Sequence, residues 1–285
     1  MPDPARAEIR GATLLLAPAS MLMLVMLLGP VILLARFSLN RFDPTQLMIA
    51  TVTPANYARF FVDPFYRDVL VTTLRVSVIV TASCLILGLP MAWRLARMTS
   101  RWKSVWLLLT ILPLFIGAVT RTSGWMILFS RGGMLDVVLH AFGGRGRLDV
   151  MYTEGAVIAG IVSINLSFTI LVLQSVFEGI DPRLEEAAAS MGASPRRAFY
   201  RVILPLAFPG ILIAAVLCFI LSMNAFPTPI LLGGPRFHMM APFIYWEFTN
   251  NNNWPFSAAL AFILTGTTLG LTILANAVIP RRYRG

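Results

Sequence analysis

Two adjacent carboxylates, Glu185 and Glu186, open a run of alanines that ends at Gly192. The chemistry available to this segment is non-covalent. Leu184, Ala187, Ala188 and Met191 recur at i, i+3, i+4 and i+7, which places them on one face of a helix. The alanines keep that face flat, so another surface can approach closely, and Glu185 and Glu186 flank it with charge for a basic partner. Bond-making chemistry has little support elsewhere. Ser123-Gly124 is an isolated nucleophile cue, the only histidines, His140 and His238, fall in loops, and no apolar run pairs a serine with a base. Cys84 and Cys218 lie in apolar runs without a CxxC or Cys/His neighbour, so they read as small buried hydrophobes and no metal site is expected. Lys103, the only lysine, stands in Thr99-Ser-Arg-Trp-Lys-Ser104 without the glycines of a phosphate-binding loop. The sequence predicts neither an enzyme nor a chain with its own cofactor.

The elements that present the acidic pair are legible from caps. Asp181 can cap a helix that starts at Pro182 and runs through good helix formers to Met191. Gly192 ends it in a left-handed turn, Ala193 follows, and Ser194-Pro195 starts a second helix by the same cap-plus-proline device. Val202, Leu204 and Pro205 frame the exit, with Pro205 and Pro209 marking the approach to the next apolar run. Such a helix-turn-helix with Arg196 and Arg197 could suit DNA, but its place between two apolar spans excludes nucleic acid.

Composition identifies the surroundings as a bilayer. The 285 residues are 57% hydrophobic and 13% charged, with a mean hydropathy of +0.76, whereas soluble domains are about 45–50% apolar and about 25% charged. A crossing helix needs about 20 apolar residues, and six candidates meet that need: 12–35, 69–93, 104–128, 154–176, 207–232 and 255–279. The first is too long for the apolar core of a secretory signal and reads as an uncleaved helix. Pro113 in the third span and Pro209, Pro227 and Pro229 in the fifth read as kinks, because neighbouring helices can satisfy freed carbonyls.

Basic residues set the orientation. One set of connections carries Arg6, Arg10, Arg94, Arg97, Arg101, Lys103, Arg183, Arg196, Arg197, Arg201, Arg281, Arg282 and Arg284; the other carries Arg36, Arg41, Arg59, Arg67, Arg131, Arg145, Arg147 and Arg236 over longer loops. The denser set is expected in the cytoplasm, with both termini and the 181–205 loop. Outside, Thr53-Pro54 and Asp63-Pro64 suggest a short interfacial helix with an aromatic face of Tyr57, Phe60 and Phe61. Arg75 and Arg121 are expected to snorkel at outer span ends. Asn165 and Asn224, polar within spans, are read either as helix-helix hydrogen-bonding residues or as lining a translocation path, and Tyr245, Trp246 and Glu247 at the outer mouth are further path candidates, with Glu247 alternatively a solvated or interfacial loop acid.

The 181–205 segment resembles the EAA loop of binding-protein-dependent ABC importer permeases, whose pattern is E-A-A-x3-G-x9-I-x-L-P. Glu186, Ala187, Ala188, Gly192, Leu204 and Pro205 match in register, and Val202 stands where the family usually has Ile. The resemblance implies an all-α integral membrane protein of the type I ABC importer permease fold. Its six transmembrane helices would comprise an N-terminal helix and loop over 1–68, a transmembrane domain over 69–277 and a tail over 278–285. It implies that Leu184, Glu185, Glu186, Ala187, Ala188, Met191, Gly192, Ala193, Ser194 and Pro195 couple to a separate ATPase that holds ATP and Mg. The implied partners are a second homologous permease, two ATP-binding subunits and a periplasmic substrate-binding protein, assembled in the bacterial inner membrane.

The segments Pro227–Pro235, Asn253–Phe256, Ala258–Phe262, Asn56–Pro64 and Thr73–Ser77 resemble the first permease subunit of spermidine/putrescine importers. That group also includes relatives for opines and phosphonates, and an amino-acid-like solute is a further alternative. The rival class, a transporter driven by an ion gradient, would use mid-membrane acids or broken helices in inverted repeats; the six spans hold no mid-membrane Asp or Glu.

Overall fold

The computed structural model describes residues 4–141 and 150–278. Arg145, Arg147, Arg281, Arg282, Arg284 and the tail after Val278 lie outside the described residues. Among the described residues, thirteen α-helices follow in chain order: α1 (Pro4–Ser38), α2 (Ala55–Val62), α3 (Pro64–Ala96), α4 (Trp102–Phe115), α5 (Ala118–Phe129), α6 (Met134–Ala141), α7 (Glu154–Glu178), α8 (Arg183–Ser190), α9 (Pro195–Ala198), α10 (Leu204–Met223), α11 (Pro227–Gly233), α12 (Met240–Thr249) and α13 (Trp254–Val278). A π-helical turn, Phe199–Ile203, joins α9 to α10. Among the described residues, five helices are long and apolar enough to cross a membrane, and six spans result if the pair α4 and α5 counts as one.

The chain divides into two compact units. One holds residues 1–64 and 244–263, and the other holds 65–243 and 264–285. In that first unit, Asn56 Nδ2 donates to the carbonyls of Ser38 and Asn40 at 2.7 and 2.9 Å, and the Ser38 and Tyr57 hydroxyls lie 2.8 Å apart. The expected helix at 55–62 is present, but its aromatic residues do not share a face: Phe60 is buried and Phe61 is exposed.

In the larger unit, α7 is the spine. Towards its N-terminal half, Ala156, Val157 and Ile161 pack with Val76, Val80 and Cys84 of α3, Phe129, Cys218 and Leu232. Towards its C-terminal half, Ile170, Leu173 and Phe177 pack with Ala92 and Leu95 of α3 and with Ile203, Ala207, Ile211 and Ala214. Small residues and polar pairs set the helix spacing, as expected where lipid removes the hydrophobic drive between helices. A Cβ on Gly210 would lie 2.4 Å from both methyls of Val176, and one on Gly160 would lie 2.6 Å from Thr228 Cγ2. Thr122 and Thr228 share a buried hydroxyl contact at 3.2 Å, and Trp125 Nε1 donates to Ser163 Oγ at 3.1 Å.

Two spans read as kinked are broken. The third divides at Ile116-Gly117, where α4 and the stretch Ala118–Val138, which begins with α5, meet at 98°. Pro113 weakens the end of α4, and Gly117 then caps α5. The carbonyls exposed by the break would be costly in lipid. Arg121 supplies the donors: its Nη1 reaches Ile116 O at 3.2 Å and Pro113 O at 3.4 Å. It therefore braces the bend instead of snorkelling, and Arg75 pairs with Glu154 at 2.6 Å. Arg121→Ala is expected to destabilise the fold by about 1 kcal/mol, the net worth of such bonds, read as a lower unfolding midpoint in detergent.

The fifth span stops at Met223 with Asn224 as its cap, and Pro227 starts the separate α11. Two prolines in three residues remove two backbone donors, which ends one helix and suits the first turn of another.

Candidate functional site

The 181–205 loop has the two helices expected of it. Asp181 Oδ1 accepts from Arg183 N at 2.9 Å at the start of α8. At its end Ala193 N donates to Ala188 O at 3.0 Å and Gly192 N donates to Ala189 O at 2.9 Å. With Gly192 at φ +83°, these two bonds form a Schellman closure. Ser194 Oγ accepts from Arg197 N at 3.4 Å, with Pro195 in the first turn of α9.

The second helix differs from expectation in not ending before the span. From Pro195 to Met223 the chain is helical throughout, through the π-helical turn. Leu204 N bonds Phe199 O, five residues back. A proline ring clashes with the carbonyl four residues before it, and the widened turn just ahead of Pro205 gives that ring room. Within this frame Ile203 is buried, while Val202 and Leu204 pack partly against the same apolar cluster.

The face expected to meet a partner divides. Glu186 and Ala187 are exposed, as are Met191 at 83% and Leu184 at 42%. Ala188 is buried at 4%, so it packs α8 onto the bundle and faces away from any partner. The two glutamates also part, because successive helical residues point about 100° apart. Glu186 is exposed, and among the described residues its carboxylate has no hydrogen bond or ion pair. Glu185, expected to serve a partner, turns inward: Arg97 Nε donates to its Oε1 at 2.7 Å, and Trp93 Nε1 lies 3.5 Å from the same oxygen. Both acids sit in the first turn of α8, where the helix dipole favours negative charge.

Each residue expected to line a path has its own local surroundings. Asn165 is buried and donates to Ser222 Oγ at 2.9 Å, so it joins α7 to α10. Asn224 is exposed at the end of α10, with its Nδ2 on Ile220 O at 2.9 Å. Tyr245 and Trp246 are exposed at 53% and 46%, whereas Glu247 on the same helix is buried at 4% and points elsewhere. The residue missed by sequence reasoning is Arg97, whose partner lies 88 positions away; only its place in a dense basic connection marked it.

A bundle of apolar helices with a capped, acidic loop between two of its spans defines a multi-pass membrane protein. Residues 146–284 match the family described as binding-protein-dependent transport system inner membrane component. The spermidine/putrescine transport system permease protein PotB of Salmonella typhimurium (strain LT2) is 36% identical over 233 residues, 81% of this chain and 80% of that one. PotB of Escherichia coli K12 is 35% identical over 81% of this chain and 84% of that one, and PotB of Haemophilus influenzae 33% over 93% and 90%. The chain belongs to the binding-protein-dependent ABC importer permeases. It is a multi-pass inner-membrane transport subunit and not an enzyme.

Among solved structures, the bacterial alginate ABC transporter in complex with an alginate pentasaccharide-bound periplasmic protein has a chain of the same fold. Its TM-score is 0.81 at 19% identity, with 98% of this chain and 96% of that chain covered. The broken third and fifth spans occur in a chain whose family, shown by its permease relatives, is that of the ABC importers.

Proposed function

We propose that this chain is one of a pair of homologous permease subunits that import a polyamine of the spermidine/putrescine type. The observation that carries this reading is the 33–36% identity, over most of the chain, to permeases named for those solutes. ATP and Mg reside on two separate ATPase copies, and a periplasmic binding protein delivers the solute. Both termini and the 181–205 loop lie in the cytoplasm, as the basic connections require. Leu184, Glu186, Ala187 and Met191 form the face presented to the ATPase, and Gly192, Ala193, Ser194 and Pro195 hold its shape. A polycation in transit is served by carbonyls and aromatic faces, which makes exposed Tyr245, Trp246 and Asn224 better candidates than buried Glu247.

The test is reconstitution in proteoliposomes with both permeases, the ATPase and the binding protein. ATP-dependent uptake of labelled spermidine, competed by putrescine and not by opines, phosphonates or amino acids, is expected. Uptake on an ion gradient without ATPase refutes the importer reading; competition by a phosphonate refutes the polyamine assignment alone.

A further inference from the structure

The loop is joined by the chain itself to α7 before it and to α10 after it. Helix α3 has no such continuity, yet its loop-side end touches the loop at three places. Arg97 Nη2 donates to Ile180 O at 3.0 Å, where the loop begins. Arg97 Nε donates to Glu185 Oε1 at 2.7 Å, on α8. The Trp93 ring packs on Phe199, 4.7 Å between centroids, where the π-helical turn begins. Phe199 in turn faces Phe177 of α7 at 6.2 Å. The Arg97 and Glu185 side chains are only 18% and 23% exposed. Shielding of this degree keeps a charge-assisted bond from being screened as a surface pair would be.

We infer that Arg97, Glu185 and Trp93 form a clamp that makes the end of α3 move with the docking helix, so that ATPase motion enters the bundle through α3 as well as through α10. This rests on the reading of 181–205 as the loop that receives the ATPase. The two glutamates then have separate tasks: Glu186 faces outward to the partner, and Glu185 faces inward as a positioning residue. A motion of α8 lacking the clamp would still reach α10 by chain continuity, but α3 would lag behind it.

The test uses the complete reconstituted importer and reads ATPase co-purification, binding-protein-stimulated ATP hydrolysis and uptake. In Arg97→Ala and Glu185→Ala, co-purification and hydrolysis are expected to persist while solute carried per ATP falls about tenfold. The double variant should be no worse than Arg97→Ala alone, since that single already removes the contact with Glu185. Glu185→Gln should recover most of the ratio, because its amide oxygen still accepts from Arg97 Nε. Should Arg97→Ala fail to accumulate, Arg97→Lys replaces it; lysine cannot hold Glu185 and Ile180 O with two nitrogens, and a several-fold drop is expected.

An unchanged ratio in the single variants, or losses that multiply in the double, overturns the clamp. Loss of ATPase co-purification in Glu185→Ala also overturns it, by placing Glu185 at the partner surface. The docking reading fails separately, if Glu186→Lys leaves both co-purification and uptake intact.

Discussion

Glu186→Lys is expected to abolish uptake while the protein still reaches the membrane. Glu186 is exposed in the first turn of α8, and among the described residues its carboxylate is unpaired. Within the chain, reversal therefore breaks no contact and only sets a positive charge against the helix dipole, at about 0.3–1 kcal/mol. At a docked surface the same reversal is far more costly. Replacing one member of a desolvated charge pair with its opposite costs about 2–5 kcal/mol or more, a factor of about 30 to several thousand in affinity. Labelled-solute uptake should fall to background and ATPase co-purification should be lost, with membrane levels on immunoblot unchanged. Glu186→Gln should fall between, since it removes charge without reversing it. Wild-type uptake by the lysine variant contradicts the placement of the ATPase on this face.

Gly210→Leu is expected to prevent accumulation of the folded protein. Gly210 on α10 meets Val176 on α7 with no room for a side chain; even a Cβ would lie 2.4 Å from both valine methyls. Valine is stiff at χ1 and cannot swing both methyls away, so the helices would have to part along the α7–α10 contact. Overpacking of this kind costs about 1–3 kcal/mol for small additions and more for large ones. Gly210→Ala should lower the unfolding midpoint in detergent, and Val176→Ala in the same chain should restore much of it. A Gly210→Leu protein with a wild-type midpoint would contradict the close approach.

The loop was legible because its signals are local. Asp181, Gly192 and Ser194 each fix a cap within three residues, and each is found doing so. The break in the third span was not legible, because a proline reads alike in a kinked or a broken helix; the decision lies with Gly117 and with the donors that Arg121 brings from the far side. Pro227 and Pro229 were misjudged for the same reason. The parting of Glu185 from Glu186 could not be read either. Adjacent residues differ in direction by a fixed angle, but which one faces the bundle depends on where α3 packs, and Arg97 lies 88 positions away. Asn165 shows the limit again: polarity within a span marked it as a joint between helices or a path residue, and the position of Ser222 decides for the joint.

The unbroken course from the loop into the fifth span has a mechanical meaning. Helix α10 runs 20 residues from Leu204, about 30 Å at 1.5 Å per residue, and the π-helical turn Phe199–Ile203 precedes it at the loop end. This is the shape of a stiff arm on a pivot. A tilt of about five degrees at the pivot swings the far tip sideways by about 2.6 Å over that length. The Asn165–Ser222 bond near the tip is 2.9 Å long, and a shift of that size exceeds what a hydrogen bond tolerates. A small rotation at the loop end would thus be enlarged along the arm, and the Asn165–Ser222 bond is where the strain would fall.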